Sequence, residues 1–222
     1  MRRDAYKRCF DLGIILISHI VLAPVFLLLW LGIPLLILLV DGRPVFFIQE
    51  RVGKGGKIFR VYKFRTMVKN ASELGPTYTE ENDPRVLPII GRFLRATGLD
   101  ELPQLINIIK GEMSFVGPRP LPVADYERCV RTIPGFRERE KLLPGLTGLA
   151  QLYTDRLAWD QWLPYDLEYA RQMSPWLDMK ILLLSVLATL KGRCDRRGKR
   201  AVGLIEQSPV SVEKSQLKKE DI

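Results

Sequence analysis

The sequence predicts a helix-rich α+β fold carried by an N-terminal membrane anchor, and three observations predict it. Residues 12–40 run without a single Asp, Glu, Lys or Arg. Residues 45–65 read as two strands around a glycine-rich turn. Apolar residues then recur at helical spacing over residues 97–110, and a further helix is expected from Pro175 onward. A chain of 222 residues is long enough for one cored domain with appendages. The divisions expected are an anchor over 1–42, a main body over 43–193 and a basic, polar tail over 194–222.

The anchor comes first. As one straight helix, residues 12–40 would extend roughly 43 Å, against a hydrocarbon core of about 30 Å. No small-x-small cleavage site follows it, so a cleaved leader fits poorly. Residues 1–11 hold four basic side chains against two acids, and residues 42–69 hold eight against Glu50 alone. Positive charge marks the cytoplasmic side of a membrane, and here it marks both flanks. A segment that enters and returns through one face would satisfy that pattern, and the break it needs is available at Ala23-Pro24, where proline removes a backbone donor. An ordinary kinked span satisfies the composition equally well. His19, inside the run, is expected to pack.

The body follows. "GKGGK" at the turn near residue 55 fails as a phosphate loop, because Arg51 stands where glycine is required and Ile58 where serine or threonine is. Residues 70–84 are polar, ending in a loop, "TEENDP". A helix is expected from about Thr97–Asp100 to Lys110, stopped by Gly111, with Leu102, Leu105, Ile106 and Ile109 along one face. "SFVGPRPLP" reads as a short strand entering a rigid proline loop. Ser174 then caps and Pro175 opens a helix whose Asp178 and Lys180 argue for an interfacial or core position rather than a span. The run "KGRCDRRGKR" and the tail beyond it are expected to be disordered, with their basic residues held near anionic lipid.

Composition narrows the chemistry. The formal net charge of +9 calls for an anionic partner. Three widely spaced cysteines form neither a disulfide framework nor a metal motif. With one histidine in the chain, histidine-rich metal sites and a Ser-His-Asp triad are not expected, so a general base must be Asp, Glu, Lys or Tyr. The adjacent carboxylates of Asp100 and Glu101 then stand out. Helix capping is the plainer role for Asp100, and it leaves chemistry open, because the two side chains would diverge by about 100° on a helix and reach different atoms of one substrate. Arg85, Arg92, Arg95 and, in "GPRP", Arg119 lie near in sequence, and such a group suits a diphosphate. No interleaved aromatic and basic platform points to nucleic acid.

The stretches "KRCFDLGI", "PVFFIQERVGKGGKIFRVYKFRTM", "ENDPRV", "GRFLRATGLDELPQLINIIKGEMSFVGPRP", "LLPGLTGLAQ" and "YDLEYARQMSPWLDMKILL" together resemble the bacterial sugar transferases. More narrowly, the chain is similar to the small monotopic phosphoglycosyl transferases. The resemblance implies a re-entrant helix-break-helix in the cytoplasmic leaflet of the bacterial inner membrane, a small cytoplasmic catalytic domain with a β-hairpin, and amphipathic interfacial helices. It implies transfer of a sugar phosphate from a UDP-sugar to a polyprenol phosphate. Asp100 would be the nucleophile and a ligand of Mg²⁺, Glu101 its acid-base or positioning partner, and UMP the leaving product. Lys63, Arg65 and Arg119 would bind phosphate, with Asp166 also in the site. Anionic lipids are expected partners, nucleic acid is not, and association into a homo-oligomer stays open.

Three departures stand beside the resemblance. The usual Ser-Pro break is Ala23-Pro24, "KGDMS" has become "KGEMS" with Glu112, and an Asn-Gly-Arg-like run is replaced by "LYTDR", Leu152 to Arg156. Two other readings remain at this point: glycosyl transfer at the anomeric carbon, which would release UDP, and an inactive membrane-bound scaffold.

Overall fold

The computed structural model describes residues 6–71, 73–75, 83–154 and 159–192. The tail at 194–222, residues 79–82 of the polar loop, and Asp155 and Arg156 lie outside the described residues. The anchor is two helices, α1 (Lys7–Val21) and α2 (Ala23–Asp41), broken at Leu22, with Pro24 in the first turn of α2. In a straight helix, residues seven apart are separated by about 10 Å along the axis. His19 and Phe26 instead stack with ring centroids 3.8 Å apart, so the two helices bend toward each other on that side. A second proline, Pro34, lies within α2. Among the described residues α2 is the one helix long and apolar enough to cross a membrane, and it is largely exposed.

Both outer ends of this pair are fastened to the body. At the start of α1, Lys7 is buried and forms an ion pair with Asp178 at 2.7 Å, while donating to the Val116 carbonyl at 2.6 Å. At the end of α2, Asp41 pairs with Arg65, and Ile33 and Ile37 pack with Phe64 and Leu94.

The expected hairpin is present: β1 (Phe46–Val52) pairs antiparallel with β2 (Ile58–Phe64), Phe47 opposite Lys63 and Arg51 opposite Phe59. After it come α3 (Ile90–Thr97), a 3₁₀ segment Leu99–Gln104, α4 (Leu105–Lys110) and β3 (Ser114–Val116). Further on, α5 (Val123–Thr132) leads to β4 (Gly145–Thr147), α6 (Leu149–Tyr153), α7 (Trp162–Gln172) and α8 (Pro175–Gly192). β3 and β4 pair in parallel, a contact between segments about thirty residues apart that no local pattern announces. Gly117 and Gly145 let these backbones meet: a Cβ on Gly117 would lie 2.2 Å from the Leu143 carbonyl oxygen, and one on Gly145 2.1 Å from the Gly117 nitrogen.

The main core joins Ile15 of α1, Phe59 and Val61 of β2, Leu105 and Ile108 of α4, Phe115 and Val116 of β3, and Ile181 of α8. Two expectations change here. The helix expected to start at about Thr97–Asp100 opens as 3₁₀ over Leu99–Gln104 and becomes α-helical only from Leu105, and left-handed Gly98 (φ 71°) sets it apart from α3. With that change of pitch the buried face of α4 carries Leu105, Asn107 and Ile108, while Ile106 and Ile109 are exposed. The α8 expectation holds: Ser174 Oγ accepts from the Leu177 amide at 3.3 Å, and Asp178 and Ile181 face inward. The opposite face exposes Trp176, Leu183, Val186 and Leu187.

Candidate active site

The site forms where the 3₁₀ segment crosses the hairpin. Asn107, fully buried in α4, fixes that crossing: its Nδ2 donates to the Arg60 carbonyl at 2.7 Å and its Oδ1 accepts from the Tyr62 amide at 3.3 Å. These are edge groups of β2 that the two-stranded hairpin alone leaves without partners. Lys63, the next residue along β2, is thereby held against Glu101, donating to Oε1 at 2.6 Å. Arg119, carried by the stiff Gly117-Pro118-Arg119-Pro120 loop after β3, approaches the same Oε1 from the other side at 3.3 Å. Glu101 is thus clamped between two cations.

Asp100 is placed differently. It is half-buried and makes no hydrogen bond or ion pair among the described residues. Burial pushes its carboxyl up to about 6; Lys63 opposes the rise, Glu101 adds to it, and Arg95 and Arg119 oppose it. The capping role expected for it is not found. Gly98 occupies the N-cap, the Leu99 amide is bonded to Thr97 Oγ1 at 3.3 Å, and Asp100 lies in the first turn. In 3₁₀ geometry neighbouring side chains diverge by about 120° rather than 100°, which separates the free carboxylate from the clamped one. Lys63 itself is held below its usual range, chiefly by burial.

Of the sequence-predicted residues, the structure brings together Lys63, Asp100, Glu101 and Arg119, with Arg95 near enough to act on Asp100 electrostatically. It does not bring the others. Arg65 was expected on phosphate, but its guanidinium is buried, paired with Asp41 and bonded to the carbonyls of Pro44 at 2.5 Å and Gly42 at 2.8 Å. It fastens α2 to β2. Arg85 is paired with Asp83 at 2.6 Å and donates to the Ala71 carbonyl at 2.9 Å, staples of the loop before α3. Arg92 is exposed on α3 and makes no hydrogen bond or ion pair with either carboxylate. Asp166 is buried behind the site; it holds Arg139 at 2.8 Å, and Arg139 in turn donates to the Arg119 carbonyl at 3.1 Å. Burial raises its carboxyl to about 6, opposed by Arg139.

Sequence reasoning missed two contributors. Arg51 lies on β1, its Nη1 bonded to the Pro120 carbonyl at 2.6 Å, with its pKa lowered to about 10 by burial and then by Arg119. Gln151 accepts from Arg119 Nη1 at 3.1 Å, and its buried Nε2 has no hydrogen-bond partner among the described residues. The quoted "GLAQ" stretch contained Gln151, but only the folded chain sets it against Arg119. No cluster of three or more His, Cys, Asp and Glu stands among the described residues. A Mg²⁺ ion needs fewer protein donors, since it is held by one or two carboxylates together with substrate phosphates and water. Asp100 offers that donor, and Glu101 is already engaged by cations.

A sequence model of the family described as bacterial sugar transferase matches residues 2–192. The UDP-glucose:undecaprenyl-phosphate glucose-1-phosphate transferase of Escherichia coli K12 is 41% identical over 186 residues, 81% of this chain and 39% of that protein. The galactosyl transferase CpsE of Streptococcus agalactiae serotype III is 40% identical over 168 residues, 68% of this chain and 36% of the relative. The UDP-N-acetylgalactosamine-undecaprenyl-phosphate N-acetylgalactosaminephosphotransferase of Aeromonas hydrophila is 35% identical over 184 residues, 81% and 43% of the two chains. The chain therefore spans about two fifths of the length of these relatives.

Proposed function

The chain belongs to the bacterial sugar transferase family, and from that premise we propose that it transfers a sugar 1-phosphate from a UDP-sugar to undecaprenyl phosphate, releasing UMP. The observation that carries this reading is the asymmetry of the carboxylate pair. Glu101 is clamped by Lys63 and Arg119, and Asp100 beside it keeps its oxygens available. In the first step an Asp100 oxygen attacks the sugar-bearing phosphorus. The Asp–O–P bond forms as the bridging phosphoanhydride P–O bond breaks, and UMP departs with the bridging oxygen. In the second step an oxygen of the acceptor phosphate attacks the same phosphorus, the aspartyl bond breaks, and the polyprenyl diphosphate sugar is released.

Lys63, Arg95 and Arg119 neutralise the phosphoryl oxygens during both displacements. Glu101 keeps two of those cations beside Asp100 and accepts a proton from the incoming phosphate. The Nε2 of Gln151, without a hydrogen-bond partner among the described residues, suits a substrate oxygen next to Arg119. Asp100 is the residue that would hold a Mg²⁺ ion together with substrate phosphate, and the ion would supply further charge neutralisation there. A membrane position suits a polyprenol acceptor. The bend at Leu22, with both ends of the anchor fastened to one body, supports a re-entrant hairpin on the cytoplasmic face of the inner membrane. The exposed apolar faces of α3 (Phe93) and α8 (Trp176, Leu183) suit the leaflet surface beside it.

Asp100→Asn tests the reading. The variant stays folded and membrane-bound but releases no UMP and traps no phosphosugar adduct. Full activity in it refutes the nucleophile assignment. UDP as the released nucleotide would move the chemistry to the anomeric carbon.

A further inference from the structure

The polar face of α1 does more than attach the anchor. Arg8, exposed on the first turn, donates through Nη1 to the Ile108 carbonyl at 2.5 Å and through Nη2 to the Ile109 carbonyl. Those are carbonyls of the last turn of α4, and that of Ile108 also accepts from the Gly111 amide at 2.9 Å. One turn farther, buried Asp11 accepts at Oδ1 from the Ser114 hydroxyl at 3.0 Å and from the Phe115 amide at 3.1 Å, both in β3. Lys7 adds the Val116 carbonyl at the end of β3.

Each grip leads to one half of the site. From Ile108 the chain runs back through α4 and the 3₁₀ segment to Glu101 without an intervening loop. From Val116 only Gly117 and Pro118 precede Arg119, and Gly117 is wedged against the Leu143 carbonyl. Glu101 and Arg119 then meet at 3.3 Å. The contacts close into a ring: Arg8 to α4, α4 to Glu101, Glu101 to Arg119, Arg119 through β3 to Asp11, and Asp11 back to Arg8 along one turn of α1. A ring of rigid pieces has one resting geometry, and opening any link frees the others to drift.

We propose that the first two turns of α1 set the spacing between the carboxylate pair and Arg119, with Asp11 and Arg8 as positioning residues for phosphoryl transfer. The anchor is then a structural part of the active site as well as its tether. This inference rests on the reaction proposed above, and its test separates the two.

The experiment uses the full chain in membranes and follows UMP release. Asp11→Ala lowers kcat by about 10- to 100-fold, the scale of a small misplacement of catalytic groups, with the donor KM shifted by less than about 3-fold. Asp11→Asn, which keeps an acceptor oxygen for Ser114 and Phe115, recovers most of the loss. In an Arg119→Ala background, Asp11→Ala costs less than about 3-fold more, since the group it positions is gone. Equal cost in both backgrounds, or no recovery with Asn, overturns the proposal. If Asp11→Ala does not accumulate, Arg8→Ala, at an exposed position, carries the same cycle. Should the wild-type chain release no UMP from any UDP-sugar, the reaction reading fails on its own. Amide exchange then decides the ring: Asp11→Ala or Arg8→Ala accelerates exchange over residues 99–104 and 114–120, and unchanged exchange refutes it.

Discussion

Asp100 and Asp166 both have carboxyl groups raised to about 6, and burial is the leading cause in each. Their surroundings differ completely. Asp166 is 2% exposed and locked to Arg139 at 2.8 Å, which turns the charge of Arg139 toward the Arg119 carbonyl. Asp100 has cations at electrostatic range and none in contact. The same titration behaviour thus accompanies a structural post in one region and a carboxylate with unengaged oxygens in the other. A perturbed carboxyl marks a place to look; the free oxygens and the cations gathered beside them mark the candidate site.

The sharpest way to break that comparison is to neutralise each aspartate in turn. Asp100→Asn is expected to reduce turnover on the order of 10⁴-fold or more, as loss of a covalent nucleophile does, with little change in unfolding temperature. Asp166→Asn leaves Arg139 buried without its partner, a situation that costs about 3–5 kcal/mol of stability. Its activity loss is expected to be smaller and to follow the displacement of Arg119. Thermal unfolding and UMP release measured on both variants check this. A destabilised Asp100→Asn beside a stable, inactive Asp166→Asn would reverse the assignment.

Arg119 gives the next largest effect. It bonds Glu101 and Gln151 through its side chain and Arg139 through its carbonyl, so it links the free region to the locked one. On the proposed reaction Arg119→Ala would remove a preorganised cation from the transferring phosphoryl group and should lower kcat by about 10²–10³-fold. Arg119→Lys keeps the charge without the two-pronged geometry and should recover only part of that loss. Steady-state kinetics on the pair distinguishes geometry from charge; equal rates in the two variants would show that charge without the guanidinium geometry contributes nothing there.

How much of this was legible in the sequence follows the same division. The uncharged run, the break near Pro24, the hairpin and the Ser174 cap are local signals, and each matches the observed elements. The carboxylate pair, Lys63 and Arg119 were also picked out, partly from residue types and partly from family resemblance. Which arginine serves which acid was not legible. Arg65 and Arg85 look like phosphate ligands beside basic or polar stretches, yet Asp41 and Asp83 claim them once the chain folds. Asp166 was assigned to the site and sits one layer behind it. The β3–β4 pairing and the approach of Gln151 to Arg119 depend on contacts about thirty residues apart, which no periodicity records. The 3₁₀ pitch of residues 99–104 escaped because apolar spacing over one or two turns does not separate it from the α-helix that follows.

The smallest expected effect concerns acid stability, and it sets Asp83 against Asp166. The Arg85 side chain holds the Asp83 carboxyl down at about 2, the reverse of the rise at Asp166. A depressed carboxyl contributes stability that is present above its unfolded value, near 3.9, and that is lost as pH falls toward 2. A raised carboxyl does the opposite: the folded state holds the proton more tightly, so its contribution is present below about pH 4 and disappears as pH rises through 6. Between pH 4 and 6 the Asp83 contribution is therefore complete while that of Asp166 is declining. Unfolding temperatures of the wild type and Asp83→Asn, taken across this range, should differ by a constant amount above pH 4 and converge toward pH 2. A gap that instead opened only above pH 5 would mean that Asp83 belongs with Asp100 and Asp166 among the raised carboxyls, and that the Arg85 staple does not hold the loop before α3.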